Sequence, residues 1–469
     1  MSLPNTAPTP LAMHPTVFVI FGVTGDLAAR KLLPALLELY TKRVLPMRFH
    51  IIGFSRRPFE REEFREYIRS RMNVKPGQYR EEDIKHFLDH MSYEQGLFDN
   101  SSAYARLKEK LDSIDLQWGQ CSNKLFHLSV PPNLYDKILT KLESSKLAVA
   151  CADDTGWTRI LIEKPFGNDI HTAKALDLML SKLFTEGQIF RIDHYLAKEA
   201  LQNILAFRFS NSIFEPLWNR EHVDKVHIKL FEKNGMEGRG AFYDPIGALK
   251  DVGQNHMLQM LSLIAMNEPK TFSAEDIRVE RAKVLAKLVP ISSRMLSKRV
   301  TKGQYNGYIA EQGVTSNSRT ETFFRIEAYI DSARWKNVPF FLESGKALAD
   351  TKTEIDVYFK NKESDEKQNI LTFRIQPDEG IKIRFYVKKP GYEFTSDPKT
   401  LKFNYADVSS FPAIPNDYER LIHDAFVGDQ TLFASTKEII SSWKFITPIT
   451  EAWDSIPLRK YEKGTKEIE

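Results

Sequence analysis

The densest group of chemically versatile side chains lies at residues 191–199. Asp193, His194, Tyr195 and Lys198 place a carboxylate, an imidazole, a phenol and an ammonium within six residues. The stretch follows an apolar run and precedes an apolar helical pattern. Polar groups this dense between two core-like segments are typical of the edge of a buried site. A solvated, well-capped helix start is the alternative interpretation.

A second candidate is a single imidazole within a long apolar pattern. Residues 243–266 predict a helix that is apolar nearly all round and therefore buried, yet it carries Asp251 and His256. A buried imidazole, with an ordinary pKa of about 6.5, is a natural general base at neutral pH. It needs a carboxylate to fix its tautomer, and Asp193 or Asp251 is suited to this. A hydrogen-bonded core histidine without a chemical role is the alternative.

The start of the chain predicts a nucleotide-binding turn. Residues 16–21 are a β-branched and aromatic run typical of a strand buried on both faces, and Gly22-Val23-Thr24-Gly25-Asp26 separates them from a helical pattern that begins at Leu27. Strand, glycine turn and helix in this order bring backbone N–H groups to a pyrophosphate. Because the spacing departs from G-x-G-x-x-G, a plain strand-to-helix connection is the alternative.

Two arginines after the second strand bear on the choice of cofactor. Residues 48–54 predict that strand, and Arg56 and Arg57 stand where an NAD-selective Rossmann unit has an acidic side chain. A guanidinium matches a 2′-phosphate bidentately, so the sequence favours NADP over NAD, unless both arginines are plain surface residues. Lys164 follows the predicted strand 158–163 and can reach both cofactor and substrate, or is a chance basic residue in a loop.

The patterns divide the chain into three segments. Residues 1–15 predict a flexible tail, and residues 16–185 alternate strands and helices as in a doubly wound parallel sheet. Residues 186–469 carry many strands and few helices, which indicates one large, mainly antiparallel sheet. The predicted fold class is therefore an α/β Rossmann-like coenzyme domain followed by a β+α domain. So large a sheet face favours a homodimer or homotetramer, and the Lys- and Glu-rich end from Tyr461 predicts a frayed, exposed tail.

Composition excludes several classes of protein. Of 469 residues, 42% are hydrophobic and 27% charged, which is ordinary for a globular protein. The net charge is only +4 with both signs interspersed, so we expect no nucleic-acid partner. No apolar run approaches the roughly 18 residues of a membrane span, and the N-terminus lacks a signal-peptide pattern. We therefore expect a cytoplasmic protein without a membrane segment.

Together the motifs resemble those of the glucose-6-phosphate dehydrogenase family over nearly the whole chain. In family order they are F-G-x-T-G-D-L-A at 21–28, G-F-S-R at 53–56, G-W-T-R-I-L-I-E-K-P-F-G at 156–167, R-I-D-H-Y-L-A-K-E at 191–199, E-G-R-G at 237–240, D-V-G-Q-N-H-M-L-Q at 251–259, G-K-A-L at 345–348 and D-Y-E-R-L-I at 417–422. Ala197 departs from the usual glycine, and its methyl is expected to crowd the backbone or exclude a positive φ. Thr351 replaces a basic residue of many members, which is expected to weaken substrate binding unless Lys352 compensates.

The resemblance implies oxidation of β-D-glucose 6-phosphate at C1 to 6-phospho-D-glucono-1,5-lactone, with hydride transfer to NADP (NAD being a weaker alternative) and no metal. It implies His256 as the base, Asp193 as the residue that orients it, and Lys164 as the group that positions the hexose. The implied substrate-binding residues are His194, Tyr195, Lys198, Glu232, Asp251, Lys346 and Lys31. The implied cofactor-binding residues are Gly22, Thr24, Gly25, Asp26, Leu27, Arg56 and Lys164. Two other functions compete with this one: that of another NAD(P)-dependent sugar oxidoreductase, and that of a catalytically silent NADP-binding sensor.

Overall fold

The computed structural model describes residues 14–150, 156–361 and 367–468, so all but the last two residues of the expected tail lie outside the described residues. The described chain forms two units. The first contains the residues up to Gly167, His171–His194 and Pro415–Thr436, and the second contains the remainder. The division falls between His194 and Tyr195, inside the 191–199 motif. The expected domain boundary at residue 185 stays a prediction.

The first unit is organised around a largely parallel sheet. Its strands, numbered along the whole chain, are β1 (Thr16–Phe21), β2 (Phe49–Ser55), β3 (Met91–Gln95), β4 (Asn123–Leu128), β5 (Thr158–Ile162), β6 (Ile189–Ile192) and β15 (Phe433–Ala434). They lie in the order β3-β2-β1-β4-β5-β6-β15, and only β15 is antiparallel to its neighbour. The first six follow the Rossmann order, which reverses between β1 and β4. All of β1 is buried, as its continuous apolar pattern predicts.

The helices of the first unit cover this sheet. They are α1 (Leu33–Thr41), α2 (Arg61–Arg71), α3 (Glu81–Asp89), α4 (Ser101–Trp118), α5 (Tyr135–Ser144), α6 (Ile170–Leu183) and α12 (Asp417–Val427). Although α12 comes from late in the chain, Phe426 packs its ring edge-on against Phe18 of β1 at 6.0 Å. The Arg159 guanidinium of β5 donates hydrogen bonds to the carbonyls of Ala425 and Phe426, both at 2.8 Å. Distant sequence therefore completes the core of this unit.

The second unit is organised around a sheet of nine strands. They are β7 (Val223–Phe231), β8 (Val300–Tyr305), β9 (Phe323–Ala328), β10 (Phe340–Gly345), β11 (Lys352–Phe359), β12 (Ile370–Gln376), β13 (Gly380–Lys388), β14 (Ser396–Asn404) and β16 (Leu458–Tyr461). Their order is β14-β13-β12-β11-β7-β10-β9-β8-β16, and only β7–β10 and β8–β16 are parallel pairs. The predicted fold class is thus confirmed. The predicted frayed end is wrong at Tyr461, which ends β16 and is 5% exposed.

The helices of the second unit are α7 (Glu199–Phe209), α8 (Gly240–Tyr243), α9 (Leu258–Ala265), α10 (Ala274–Ala286), α11 (Ser293–Arg299) and α13 (Thr436–Glu451). A π-helix, Leu249–Met257, leads directly into α9. The helix expected over residues 243–266 is therefore divided, with α8 ending at Tyr243 and the widest turns at the residues that include His256. Within the described chain, no helix is long and apolar enough to cross a membrane.

Candidate active site

Gly22 makes the turn that ends β1. Its φ is +84°, and a Cβ would lie 2.3 Å from the carbonyl oxygen of Ser129, so glycine is required for the close approach to the segment after β4. The N–H of Gly25 donates to the carbonyl of Gly22 at 2.9 Å and closes the turn. The turn therefore lies where the strand order reverses, which is where ligands bind in open α/β sheets.

The helix that follows this turn begins at Asp26. Asp26 is exposed and pairs with Arg30 at 3.3 Å and Arg71 at 3.6 Å, while Leu27 is half-buried. Lys31 is exposed on the same helix. Asp26 and Leu27 thus adjoin the candidate pyrophosphate turn, and their contact with a cofactor stays a prediction, as does a role for Lys31 with the substrate.

Arg56 and Arg57 follow β2 beside the glycine turn. The hydroxyls of Ser55, which ends β2, and Thr24 lie 2.8 Å apart. The Arg57 guanidinium donates to the Tyr67 hydroxyl at 3.1 Å. Arg56 is exposed, and its guanidinium forms no hydrogen bond or ion pair with any residue that the structure describes. Neither arginine forms an ion pair with a described residue, and Arg56 is the one whose guanidinium also has no described hydrogen-bond partner.

Lys164 follows β5 and is held by the contacts of its neighbour Glu163. The Glu163 carboxylate accepts from the Tyr418 hydroxyl at 3.2 Å and lies 3.1 Å from His127 Nε2, and its carbonyl accepts from the Tyr135 hydroxyl at 3.0 Å. Burial, with the adjacent Glu163 charge, raises the pKa of Tyr418, which therefore donates as a neutral phenol. Since Glu163 is fixed on several sides, the half-buried Lys164 leaves the carboxyl edge of the sheet from a defined backbone position.

The 191–199 motif begins on β6. The buried Arg191 guanidinium pairs with Asp177 at 2.8 Å and Glu186 at 2.9 Å, which anchors the motif in the first unit. Asp193 is 2% exposed, and His194 is half-buried. The motif then passes into the second unit and ends at the first turn of α7.

The second unit brings three predicted site residues together. The rings of Tyr195 and His256 stack with their centroids 4.2 Å apart and their planes 26° apart. Lys198 Nζ lies 5.3 Å from the Tyr195 ring centroid, and Gln376 Nε2 donates to the Tyr195 hydroxyl at 3.3 Å. His256 is only 1% exposed. Stacking and burial therefore fix the imidazole plane against the motif. Gln376 carried no sequence signal, since it is one polar residue at a strand end.

The buried carboxylate of Glu321 caps the π-helix that carries His256. It accepts from the Leu249 N–H at 3.0 Å and from Trp453 Nε1 at 2.9 Å. Burial raises the pKa of Glu321 above its ordinary value. A Cβ at Gly253 would lie 2.8 Å from Phe324, so this glycine permits close packing of the helix on β9. The sequence held one signal, an acidic residue two positions before Phe323, where β9 begins.

A second cluster surrounds Tyr243. Lys346 forms an ion pair with Glu232, and its Nζ lies 5.3 Å from the Tyr243 ring centroid. Burial raises the pKa of Tyr243, and the negative charge of the half-buried Asp251 adds to the rise. The backbone carbonyl of Lys346 accepts from the Tyr461 hydroxyl at 2.7 Å. One polar region therefore contains Glu232, Asp251 and Lys346. The last strand supports it through the hydrogen bond from Tyr461.

Comparison with known proteins identifies the family. A family model described as glucose-6-phosphate dehydrogenase, NAD binding domain, matches residues 19–203, and one described as glucose-6-phosphate dehydrogenase, C-terminal domain, matches residues 205–469. The chain belongs to the glucose-6-phosphate dehydrogenase family. The resemblance seen in the motifs is confirmed, and the chain is an oxidoreductase of this family.

Individual members of the glucose-6-phosphate dehydrogenase family match almost end to end. The glucose-6-phosphate 1-dehydrogenase of Borreliella burgdorferi is 40% identical over 475 residues, covering 96% of this chain and 95% of the relative. That of Chlamydia pneumoniae is 38% identical over 469 residues, covering 95% and 91%. A solved structure of glucose-6-phosphate dehydrogenase in complex with its substrate glucose-6-phosphate has a TM-score of 0.91 and 33% identity, covering 97% of this chain and 96% of the other.

The two departures from the glucose-6-phosphate dehydrogenase motifs are accommodated locally. Ala197 is buried, and its carbonyl accepts from Gln202 Nε2 at 3.1 Å. It does not belong to the described non-glycine residues with positive φ, which are Arg43, Lys146, Glu237, Asn337 and Ala347. The expected conflict with a positive φ therefore does not arise. Thr351 Oγ1 accepts from the Lys233 N–H at 2.9 Å, and so holds the backbone next to Glu232.

Lys352 is the cation that was expected to compensate for Thr351. Its Nζ pairs with Glu354 at 3.4 Å and lies 5.4 Å from the Phe231 ring centroid. These contacts engage Lys352 along its own strand, which does not favour compensation. Among the described residues, no group of three or more His, Cys, Asp or Glu side chains is arranged to hold a metal ion.

Proposed function

We propose that the chain oxidises β-D-glucose 6-phosphate at C1 to 6-phospho-D-glucono-1,5-lactone, with NADP as hydride acceptor, the first step of the oxidative pentose phosphate pathway. Relatives named for this activity and the solved substrate complex of a family member support the reaction. The observation that carries the proposal is the stack of Tyr195 on the buried His256. This stack brings an imidazole that is suited to accept a proton against the 191–199 motif, whose cationic side chains are suited to bind a phosphate.

In this proposal His256 accepts the C1 hydroxyl proton. A neutral imidazole has an ordinary pKa of about 6.5, so it is available as a base at physiological pH. The Tyr195 stack holds the ring before the substrate arrives, which lowers the entropic part of the barrier. Asp193 fixes the tautomer and balances the charge of the imidazolium. Its role rests on the family motif and on its place two residues before Tyr195, which limits their Cα separation to roughly 7 Å.

The substrate-binding residues divide by the chemistry of the two ends of the sugar phosphate. His194, Tyr195 and Lys198 donate to the phosphate, for which charge-assisted hydrogen bonds are strongest. Glu232 and Asp251 accept from sugar hydroxyls. The substrate replaces part of the Lys346–Glu232 ion pair, while Lys346 and Lys31 add positive charge at the rim.

The residues of the first unit fit a dinucleotide. Gly22, Thr24 and Gly25 shape the turn for the pyrophosphate, and the helix beginning at Asp26 and Leu27 directs N–H groups toward it. Arg56 binds the 2′-phosphate, so NAD, which lacks that group, is the weaker cofactor. When bound, NADP supplies the hydride-accepting nicotinamide. Lys164, at the carboxyl edge of β5, positions the hexose beside it.

We also infer that the chain forms a homo-oligomer, either a homodimer or a homotetramer. A second inference is that the protein is cytoplasmic. Apolar side chains are exposed on and around β14, which is unusual for a solvated edge; they are Tyr392, Phe394, Leu401 and Phe411. Sedimentation over a range of protein concentrations tests the first inference, and a purely monomeric chain would contradict it. Cell fractionation tests the second.

Replacing His256 tests the base assignment. His256→Asn keeps a polar side chain of similar size but removes the base, so we expect kcat to fall roughly 10²–10⁴-fold while KM for glucose 6-phosphate changes only a few fold. The matched control, His194→Asn, makes the same change at a phosphate-binding position and should chiefly raise KM. NADPH formation measures both. Retained turnover in His256→Asn, with substrate binding lost, would contradict the assignment.

Glucose distinguishes this activity from that of another sugar oxidoreductase. Without the 6-phosphate it forfeits several charge-assisted hydrogen bonds, each worth about 1.5–3 kcal/mol, so kcat/KM should be lower by several powers of ten. Similar values for glucose and glucose 6-phosphate would remove the phosphate assignment of His194 and Lys198. If the chain binds NADPH but produces no NADPH from NADP with either sugar, it is the catalytically silent NADP-binding sensor.

A further inference from the structure

Arg208 lies near the end of α7 and is completely buried. Its guanidinium donates to the backbone carbonyls of Leu263 and Ile264, both at 3.1 Å, and to that of Met266 at 2.8 Å. These carbonyls belong to the last turn of α9 and to Met266, its C-cap residue. The last carbonyls of a helix have no donor within that helix. One side chain of α7 therefore caps the carboxyl end of α9.

The charge of Arg208 is balanced by a carboxylate. Nη2 pairs with Glu215 at 3.0 Å, and Glu215 pairs in turn with Arg334 at 2.6 Å. Burial lowers the pKa of Arg208 to about 10, so the guanidinium stays charged at physiological pH. A buried ion pair is often no more stabilising than apolar packing in the same space. Stability alone therefore does not account for this arginine, and its directional hydrogen bonds indicate a role in orientation.

The two helices that Arg208 joins also carry the two parts of the proposed site. The 191–199 motif leads into α7, and the π-helix bearing His256 leads into α9. Near the amino ends of these helices, the rings of Tyr195 and His256 stack with their centroids 4.2 Å apart. Near the carboxyl ends, Arg208 connects them. The helices therefore run in the same direction and are fixed to each other at both ends.

We propose that Arg208 is a positioning residue, which sets the place of the His256 imidazole relative to the phosphate-binding side chains of the motif. The proposal rests on the proposed function, in which Tyr195 and Lys198 hold the phosphate while His256 accepts the proton. Packed helices can slide by small amounts, whereas a guanidinium that donates to three carbonyls and a carboxylate fixes one register. Because a misplacement of about 1 Å can cost roughly 10²-fold in rate, this register bears on kcat.

Arg208→Met tests the proposal by steady-state kinetics. Methionine makes none of these hydrogen bonds, and Glu215 keeps Arg334 as its partner, so no carboxylate is left unpaired. We expect kcat to fall roughly 10- to 100-fold, while KM for glucose 6-phosphate and for NADP changes less than about threefold. The matched control, Trp335→Phe, removes the hydrogen bond from Trp335 Nε1 to the Ala265 carbonyl at 2.7 Å, which also caps α9 but does not involve α7. It should lower the melting temperature and leave kcat within about twofold.

The place of His256 is measured separately by NMR, in the chain without substrate or cofactor. Stacking on the Tyr195 ring shifts the signal of the His256 Cε1 proton upfield. His256→Asn identifies this signal by its loss, and Tyr195→Leu gives its position without the stack. In Arg208→Met the signal should move toward that position, whereas in Trp335→Phe it should stay at the wild-type position. This readout needs no turnover, so a wild-type chain that forms no NADPH would contradict the proposed function without deciding the role of Arg208.

Arg208→Lys completes the comparison, and it replaces Arg208→Met in every measurement if the methionine variant has no cooperative melting transition. The single nitrogen of lysine keeps the charge beside Glu215 but cannot span three carbonyls. We therefore expect kcat and the His256 signal to lie between those of the wild type and Arg208→Met. Wild-type values in either Arg208 variant, or a lower kcat with an unmoved His256 signal, would overturn the proposal. Equal changes in Trp335→Phe would also overturn it, because they would show a general loosening of the end of α9.

Discussion

Arg56 and Arg57 are neighbours in sequence, but their guanidinium groups make different contacts. Arg57 is engaged with the Tyr67 hydroxyl, whereas the Arg56 guanidinium has no partner among the described residues. Sequence alone predicted a 2′-phosphate site from the pair and carried over Arg56 by its place in the G-F-S-R motif. The structure adds a physical reason for choosing Arg56, since of the two guanidinium groups it is the one without a hydrogen-bond partner among the described residues.

Cofactor preference follows from this difference. Arg56→Ala should raise KM for NADP roughly 10- to 100-fold, the equivalent of a lost charge-assisted interaction of about 1.5–3 kcal/mol, and should leave KM for NAD within about twofold. Arg57→Ala is the matched control and should affect the two cofactors alike. The measurement is initial rate against each cofactor at saturating glucose 6-phosphate. Parallel effects of Arg56→Ala on NADP and NAD would show that Arg56 does not contact the 2′-phosphate.

The residues of the 191–199 motif could be singled out from the sequence, but their contacts could not. Asp193, His194, Tyr195 and Lys198 attracted notice through their density, and His256 through its apolar surroundings. Nothing in either pattern specified that the Tyr195 ring would stack on His256, because that contact joins segments about 60 residues apart. Long-range pairs depend on packing of the whole unit, which local periodicity does not encode.

At the level of elements, the helix bearing His256 was predicted in type but not in geometry. Apolar periodicity indicated one buried helix, and the structure has a π-helix followed by α9. A π-helix bonds residues five apart and often marks a functional site. Its stability depends on tertiary contacts, here the Glu321 cap and the close packing of Gly253, and neither contact is local in sequence.

Glu321 makes the stability of this element depend on pH. Burial raises the pKa of Glu321 above its ordinary value of 4.5, so the folded chain holds the proton more tightly than the unfolded chain. This contribution to stability is complete below about pH 4.5 and is lost as pH rises through the folded pKa. Glu321→Gln removes this ionisable group. The free energy of unfolding of the variant, measured relative to that of the wild type, should therefore increase as pH rises. Urea unfolding across pH 4–8 measures the difference, and parallel curves would contradict it.

The C-terminal segment was misread because its composition hid two buried residues. The segment after residue 461 is rich in Lys and Glu, yet Tyr461 and Ile468 are buried. The Tyr461 hydroxyl donates to the carbonyl of Lys346, and the Gly464 N–H donates to that of Ala347 at 2.8 Å. Ala347 adopts φ +55°, an unusual conformation for alanine that these contacts help to maintain. The strand therefore supports the G-K-A-L loop.

Removing one hydroxyl tests this support. Tyr461→Phe deletes the hydrogen bond to the carbonyl of Lys346, worth about 1 kcal/mol, together with the contact of the hydroxyl with Thr322 Oγ1 at 2.8 Å. It should raise KM for glucose 6-phosphate up to roughly fivefold while kcat changes little. Tyr392→Phe is the control, because Tyr392 is fully exposed. Steady-state kinetics and the melting temperature are measured together. If Tyr461→Phe lowers the melting temperature without moving KM, the strand stabilises the fold but does not position Lys346.

At the scale of the whole molecule, the segments predicted along the sequence do not coincide with the two units of the structure. The sequence patterns separate a coenzyme segment from everything after residue 185, whereas the first unit also takes in β6, α12 and β15. The D-Y-E-R-L-I motif at the start of α12 indicates family membership, but nothing in it shows which sheet the helix will cover. Amphipathic helices carry an apolar face without specifying its partner, which is why this assignment could not be predicted.

The consequence is that the N-terminal segment should not fold by itself. Within α12, Leu421, Ile422 and Phe426 are buried, and at about 1.5–3 kcal/mol each they contribute roughly 5–9 kcal/mol, comparable with the net stability of a domain. A fragment of residues 14–194 should therefore lack a cooperative thermal transition. Joining residues 415–436 to it through a flexible linker should restore one, because α12 and β15 then cover α1 and β6. The same fusion with Leu421→Asp is the control and should remain unfolded, since a carboxylate replaces a buried side chain. Circular dichroism melting compares all three, and a cooperative transition of the shorter fragment equal to that of the fusion would show that α12 is dispensable to this unit.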